Sequence, residues 1–150
     1  TNLDPTTGLH MTGSPQQIDL ETYRLKIGGK VDHPLSLSYT DLRCLPRREV
    51  KATLICPGYF EDVATWAGAP LSYVLAQAGL QPGAQSITMK GADGYSGFVL
   101  LKDIQSDDNL VAYEWEGRPL PILHGFPVRM VFPGLSGGQW VKWLTEIVVE

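Results

Sequence analysis

Regular alternation of apolar and polar residues begins at Tyr23. Tyr23, Leu25 and Ile27 alternate with Arg24 and Lys26 and stop at Gly28-Gly29, the period-two pattern of a strand running into a turn. Upstream, Pro5, Gly8, Gly13 and Pro15 stand among polar residues with no apolar period. The pattern predicts a polar N-terminal arm over 1–22, folding only against something else, and one domain over 23–150. Ser38 or Thr40 caps a short predicted helix carrying Leu42 and Leu45 and closed by Pro46. Val50, Ala52, Leu54 and Cys56 fall on one face of a predicted strand. That strand delivers Cys56 to its C-terminal end, where Pro57-Gly58 breaks the ladder.

Pro70 suits the first turn of a helix with Leu71, Val74, Leu75 and Ala78 at helical spacing and Gly79 as terminator. Strand-like runs follow at Ser86–Lys90, Ser96–Leu101 and Leu110–Trp115, separated by the turn sequences Gly91-Ala92-Asp93-Gly94 and Glu116-Gly117. Val128–Phe132 and Thr145–Val149 are rich in β-branched or aromatic residues. The expectation is an α+β fold: a single, strand-dominated domain of mixed sheets, with about six or seven strands and few short helices. No internal repeat or linker divides it.

Composition sharpens this picture. A chain of 150 residues at 43% hydrophobic and 19% charged closes a core without metal or disulfide staples. With 16 Gly and 11 Pro, turns are frequent and long helices rare. The net charge of −4 argues against a polyanion binder, so no nucleic-acid partner is expected. Arg43, Arg47, Arg48 and Lys51 cluster, but Glu49 interrupts them, and the pattern reads as a solvated face. No apolar run approaches the roughly 18 residues of a membrane span. Cys44 and Cys56 form no C-x-x-C pair, which excludes a Cys-rich zinc site and a thioredoxin-type motif. One disulfide remains arithmetically open.

Three stretches carry candidate chemistry. Cys56 places a thiol at a strand end, facing whatever lies past the sheet; an inert core cysteine is the competing reading. His124 lies between Ile122-Leu123 and Phe126, where an imidazole needs hydrogen-bond partners. Arg129 interrupts the apolar run Val128–Phe132, and a guanidinium there needs an anion, for which a phosphate serves in two-point geometry. The competing reading is an edge-strand arginine facing solvent. The third stretch, Pro133 to Trp143, combines glycines that let backbone N–H groups approach a ligand with the point charge of Lys142. It lacks the spacing of a P-loop or a dinucleotide fingerprint.

Taken together, these blocks resemble the catalytic domain of the sulfite oxidase family of molybdopterin-dependent oxidoreductases. The resemblance runs from about Tyr23 to Glu150 and rests on Asp93-Gly94-Tyr95, Ala112-Tyr113-Glu114, Gly117-Arg118-Pro119-Leu120-Pro121 and His124-Gly125-Phe126-Pro127-Val128-Arg129. It continues through Val131-Phe132-Pro133-Gly134 and Val141-Lys142-Trp143-Leu144, with Pro34–Leu37, Asp41-Leu42, Leu45-Pro46, Cys56 and Trp66-Ala67-Gly68 in agreement upstream. It implies that Cys56 is the thiolate ligand of molybdenum and the catalytic residue, and that His124, Arg129 and Lys142 contact the pterin and its phosphate. It also implies two-electron oxygen-atom transfer on a small oxyanion or a sulfur or nitrogen oxide, with an electron-transfer partner. A soft thiolate suits a metal already carrying dithiolene sulfurs.

The chain departs from the family pattern in places. Residues 1–22 hold no match to the Arg-Asn-His-like segment that grips the pterin in relatives. Gln139 stands where a basic residue is common, and Pro57 follows the cysteine. No stretch matches a heme or a C-terminal dimerisation domain. These departures predict a wider, more exposed cleft, or one completed by a partner chain. Two other functions stay open on the residues alone: a non-catalytic relative that binds cofactor weakly or acts as an interaction module, and a Cys56 nucleophile with His124 as base. The start at Thr1, together with the export of many bacterial relatives, makes an extracytoplasmic location the expectation.

Overall fold

The computed structural model describes residues 2–3, 10–11, 14–56 and 60–150; of the side chains, those of 14–55 and 61–150 are described. In chain order the elements are β1 (Asn2–Leu3), β2 (His10–Met11), β3 (Leu25–Gly29), β4 (Leu35–Leu37), α1 (Tyr39–Arg43), β5 (Arg48–Cys56) and β6 (Phe60–Pro70). There follow α2 (Leu71–Ala78), β7 (Ser86–Gly91), β8 (Ser96–Leu100), β9 (Leu110–Trp115), β10 (Arg118–Pro119), β11 (Arg129–Val131) and β12 (Leu144–Val149). β1 and β2 pair only with each other.

Two five-stranded sheets make the body. One runs β10-β9-β6-β5 with β11 also on β9; the other runs β4-β3-β12-β7-β8. Only β12 and β3 are parallel, so the second sheet is mixed. A single apolar cluster draws on both sheets, with Ile27, Met89 and Ile147 from one and Trp66, Val111 and Met130 from the other. Each such side chain contributes about 1.5–3 kcal/mol by leaving water.

The helices follow their local signals. Ser38 Oγ accepts from Asp41 N at 3.0 Å while the Asp41 carboxylate accepts from Ser38 N at 2.9 Å, a reciprocal cap that starts α1. α2 buries Leu71, Val74, Leu75 and Ala78 and stops at Gly79, where φ is +74°. Gly68 is required by packing: a Cβ there would lie 2.1 Å from the Val111 carbonyl oxygen of the neighbouring β9.

The structure corrects several expectations. Among the described residues there are twelve strands, three of them only two residues long, and the largest omission is β6. Its early pattern is inverted: Asp62 is buried with Ala64 and Trp66, whereas Val63 is 56% exposed. A period-two reading of hydrophobicity therefore sees no strand. Glu61 and Asp62 pair with Ile55 and Leu54 of β5. The basic patch faces solvent as expected, and its arginines are paired there. Arg43 and Arg47 both bind the Glu114 carboxylate, and Arg48 binds Asp108. The break at Pro57-Gly58 lies outside the described residues.

Candidate functional site

A buried arginine and a half-buried lysine meet at one glycine. A short 3₁₀ turn, Ile122–His124, ends at Gly125 with φ +109°. A Cβ on Gly125 would lie 3.1 Å from Lys142 Cβ and 3.2 Å from Arg129 Cβ. Glycine supplies both the left-handed backbone and the space that lets the His124 turn, Arg129 and Lys142 crowd together.

Arg129 is held by β11, whose residue register sets it opposite Ala112 of β9. It is buried, so the solvent-facing reading of its strand position fails. Its Nη1 donates to the His124 carbonyl at 3.0 Å, Nη2 to the Trp140 carbonyl at 3.3 Å and Nε to the Met130 carbonyl at 3.4 Å. The guanidinium carbon sits 4.9 Å from the centroid of the Trp66 ring and 5.7 Å from that of Trp140. Among the described residues it has no carboxylate partner. Burial alone pushes its pKa down to about 9, still charged at neutral pH.

Lys142 donates from Nζ to the Leu123 carbonyl at 3.2 Å and lies 4.7 Å from the centroid of the Trp143 ring. Burial first, and then the positive field of Arg129, push its pKa from 10.5 down to about 8, while Asp93 acts in the opposite sense. Trp143 holds a left-handed backbone at φ +50°, a conformation that costs a bulky residue on the order of 1–3 kcal/mol. Its indole N–H donates to the Ile122 carbonyl at 2.9 Å, tying Lys142's neighbour to the His124 turn.

Cys56 approaches through the backbone. It ends β5, the edge strand of its sheet, opposite Phe60 of β6. Its side chain lies outside the described ones. One residue earlier, Ile55 forms a parallel bridge to Ser136, and a Cβ on Gly137 would lie 3.0 Å from Leu54 Cδ1 and 3.3 Å from the Ile55 carbonyl oxygen. The glycine-rich turn over 133–139 thus touches the strand that carries Cys56 and then runs into Trp140 and Lys142. Cys44 is elsewhere in function: exposed, with a free thiol, it closes α1.

An anionic group fits this arrangement. Arg129 is buried with Lys142 close by, its described partners are neutral carbonyls and indole faces, and no carboxylate pairs with it among the described residues. The Trp66 indole N–H, fully buried against the same guanidinium, has no acceptor among the described residues. Such a donor set matches the phosphate and heterocycle of a pterin cofactor better than a bare metal. No cluster of three metal-ligating side chains occurs among the described residues. Reading the sequence missed the two indole walls, Trp66 and Trp140, because a tryptophan among apolar neighbours reads as core.

Comparison with known proteins decides the family. The profile of the oxidoreductase molybdopterin binding domain matches residues 11–150. The chain belongs to that family. An uncharacterized oxidoreductase of Bacillus subtilis, YuiH, is 33% identical over 93% of this chain and 71% of its own length. Mitochondrial sulfite oxidase of Rattus norvegicus is 38% identical over 89% of this chain but only 30% of its own length. Among solved structures, the sulfane dehydrogenase SoxCD of Paracoccus pantotrophus aligns with a TM-score of 0.84 at 28% identity, over 91% of this chain and 40% of that one. This molybdopterin-binding domain therefore spans about a third of the sulfite oxidases it matches. Strand-rich mixed sheets with short helices are its shared architecture, and the molybdenum cofactor is what the family implies.

Proposed function

We propose that this domain performs molybdenum-dependent redox chemistry with Cys56 as the protein thiolate on the metal and His124, Arg129 and Lys142 as the cofactor's anchors. When bound, the cofactor supplies two-electron oxygen-atom transfer to or from a small oxyanion or a sulfur or nitrogen oxide. The chain's own residues do the holding. Arg129 offers a charged, preorganised fork whose position is set by three carbonyls and two indole rings. Lys142 adds a second charge on the far side of Gly125, and its carbonyl contact aims the ammonium along the His124 turn. Little reorganisation is needed when the anion arrives, which favours retention.

One observation carries the reading: a fully buried arginine whose contacts are all neutral, beside a lysine whose pKa it lowers. A structural arginine in a core is ordinarily matched to a carboxylate. In this proposal an electron-transfer partner exchanges electrons with the cofactor.

The test is metal analysis of protein made in a host that synthesises molybdopterin. Wild-type protein should carry close to one molybdenum per chain. Cys56→Ser should retain pterin but lose the thiolate-to-metal absorption and the activity, because a hydroxyl is a poor substitute for a soft donor. Cys44→Ser should match wild type. Identical behaviour of the two serine variants removes Cys56 from the metal. A wild-type protein free of molybdenum would instead favour a non-catalytic relative.

A further inference from the structure

The turn over 133–139 has a second attachment, on the opposite sheet. The Tyr95 hydroxyl, at the start of edge strand β8, donates to the Gly138 carbonyl at 2.6 Å. The Gln139 amide oxygen accepts from Phe98 N of the same strand at 3.1 Å. Gly97, between them, has no side chain to obstruct the approach: a Cβ there would lie 3.2 Å from Gln139 Oε1 and 2.9 Å from Val141 Cγ2. On its other side the turn bridges to Ile55 of β5 through Ser136. The turn therefore spans the two sheets, tied to β5 one residue before Cys56 and to β8 through Tyr95 and Gln139. It leads directly to the Trp140 carbonyl that accepts from Arg129.

We infer that Tyr95 and Gln139 are positioning residues for the cofactor: they latch the turn to β8 and so set the separation between the Cys56 strand end and the Arg129–Lys142 cations. This rests on the molybdopterin reading above. The latch is built for placement rather than for core stability. Tyr95 is 50% exposed, and its hydroxyl and the Gln139 amide each make one described contact across the gap. Losing either frees the turn at one wall while the bridge to Ile55 remains. A cofactor gripped at both ends registers that change, and the empty fold barely does.

The experiment compares wild type, Tyr95→Phe, Gln139→Met and the control Leu100→Ser, an outward-facing change on the same strand. All are made in a molybdopterin-competent host. Three quantities are read: the rate of molybdenum loss on incubation, the melting temperature of cofactor-free protein, and amide hydrogen exchange across 136–141. Each latch variant should release molybdenum about fivefold faster, the effect of one net hydrogen bond. Exchange in the turn should quicken, and the cofactor-free melting temperature should stay at the wild-type value. Leu100→Ser should match wild type throughout. Wild-type release rates in both latch variants would overturn the latch while leaving the cofactor reading intact. An equal loss of stability with and without cofactor would also overturn it, by making the contacts merely structural. A wild-type protein that binds no molybdopterin overturns both readings together.

Discussion

Strand β9 separates two uses of arginine. Toward its end, Glu114 accepts from Arg47 Nη2 at 2.7 Å and from Arg43 Nη2 at 3.3 Å. Two residues earlier, Ala112 lies opposite Arg129, which meets only carbonyls and indole rings. Arg43 and Arg47 are 41% and 44% exposed, so water already solvates them and the carboxylate merely orients them. Arg129 is 3% exposed and has no such relief. The first cluster is electrostatically closed. Arg129 carries its charge in a buried place with no carboxylate partner among the described residues, and an anionic ligand would remove that imbalance. Burial and counter-charge together, rather than arginine content, distinguish a site from a surface network.

The largest test of this contrast is Arg129→Met. Cofactor retention should weaken by about 2–5 kcal/mol, the usual cost of removing one partner of a desolvated charge pair. The cofactor-free fold should lose nothing or gain stability, because an unpaired buried guanidinium has gone. Equilibrium unfolding with and without cofactor checks both halves. Equal losses in the two states would make Arg129 as structural as Arg43.

Next in size is the effect of pH on Lys142. Its folded pKa of about 8 lies below the ordinary 10.5, so the folded chain binds the proton less tightly than the unfolded chain. The penalty for burying the charge is fully present below about 8 and disappears as pH rises toward 10.5, so the cofactor-free protein should gain stability across that window. Anion binding runs the other way. Inorganic phosphate, titrated calorimetrically, should bind more weakly above pH 8, by at most about tenfold per unit. Phosphate affinity that is flat from pH 7 to 10 removes Lys142 from the anion site.

Glu114→Gln should cost about 1 kcal/mol, since its arginines fall back on water. That corresponds to roughly 2–4 °C in melting temperature for a chain of this size. Molybdenum content should not change. Smallest is the acid limb. Hydrogen bonding from Arg47, ahead of the fields of Arg47 and Arg43, holds the Glu114 carboxyl below its ordinary 4.5. The stability it adds is present above 4.5 and is lost as pH falls through its lower folded value. Comparing wild type with Glu114→Gln in acid melts isolates this contribution, and the two curves should converge as the carboxyl protonates.

Much of the fold was legible because local signals agreed with burial. The alternation from Val50, the reciprocal cap at Ser38 and the helix from Leu71 to Gly79 each correspond to an observed element. β6 was not legible. Its buried Asp62 and exposed Val63 invert the rule that hydrophobicity marks the inner face, and only its partners β5 and β9 make it a strand. At the site, His124 and Arg129 stood out as polar groups among apolar neighbours, and both are buried. The indole walls gave no such signal, because a tryptophan facing a cation and one facing leucine have the same sequence pattern.

What the sequence determined by itself was therefore the inventory: strand-rich segments with short helices, a thiol at the end of β5, and charged residues set among apolar neighbours. Those follow from periodicity and from the cost of burying charge, both local properties. The tertiary structure decided the juxtapositions. It set Arg43 and Arg47 on Glu114 while leaving Arg129 without a carboxylate, and it passed one glycine-rich turn between β5 and β8 on its way to Lys142. Such contacts join residues tens of positions apart in the chain. They depend on strand register and on close approaches such as those at Gly97 and Gly125, so no short window of sequence contains them.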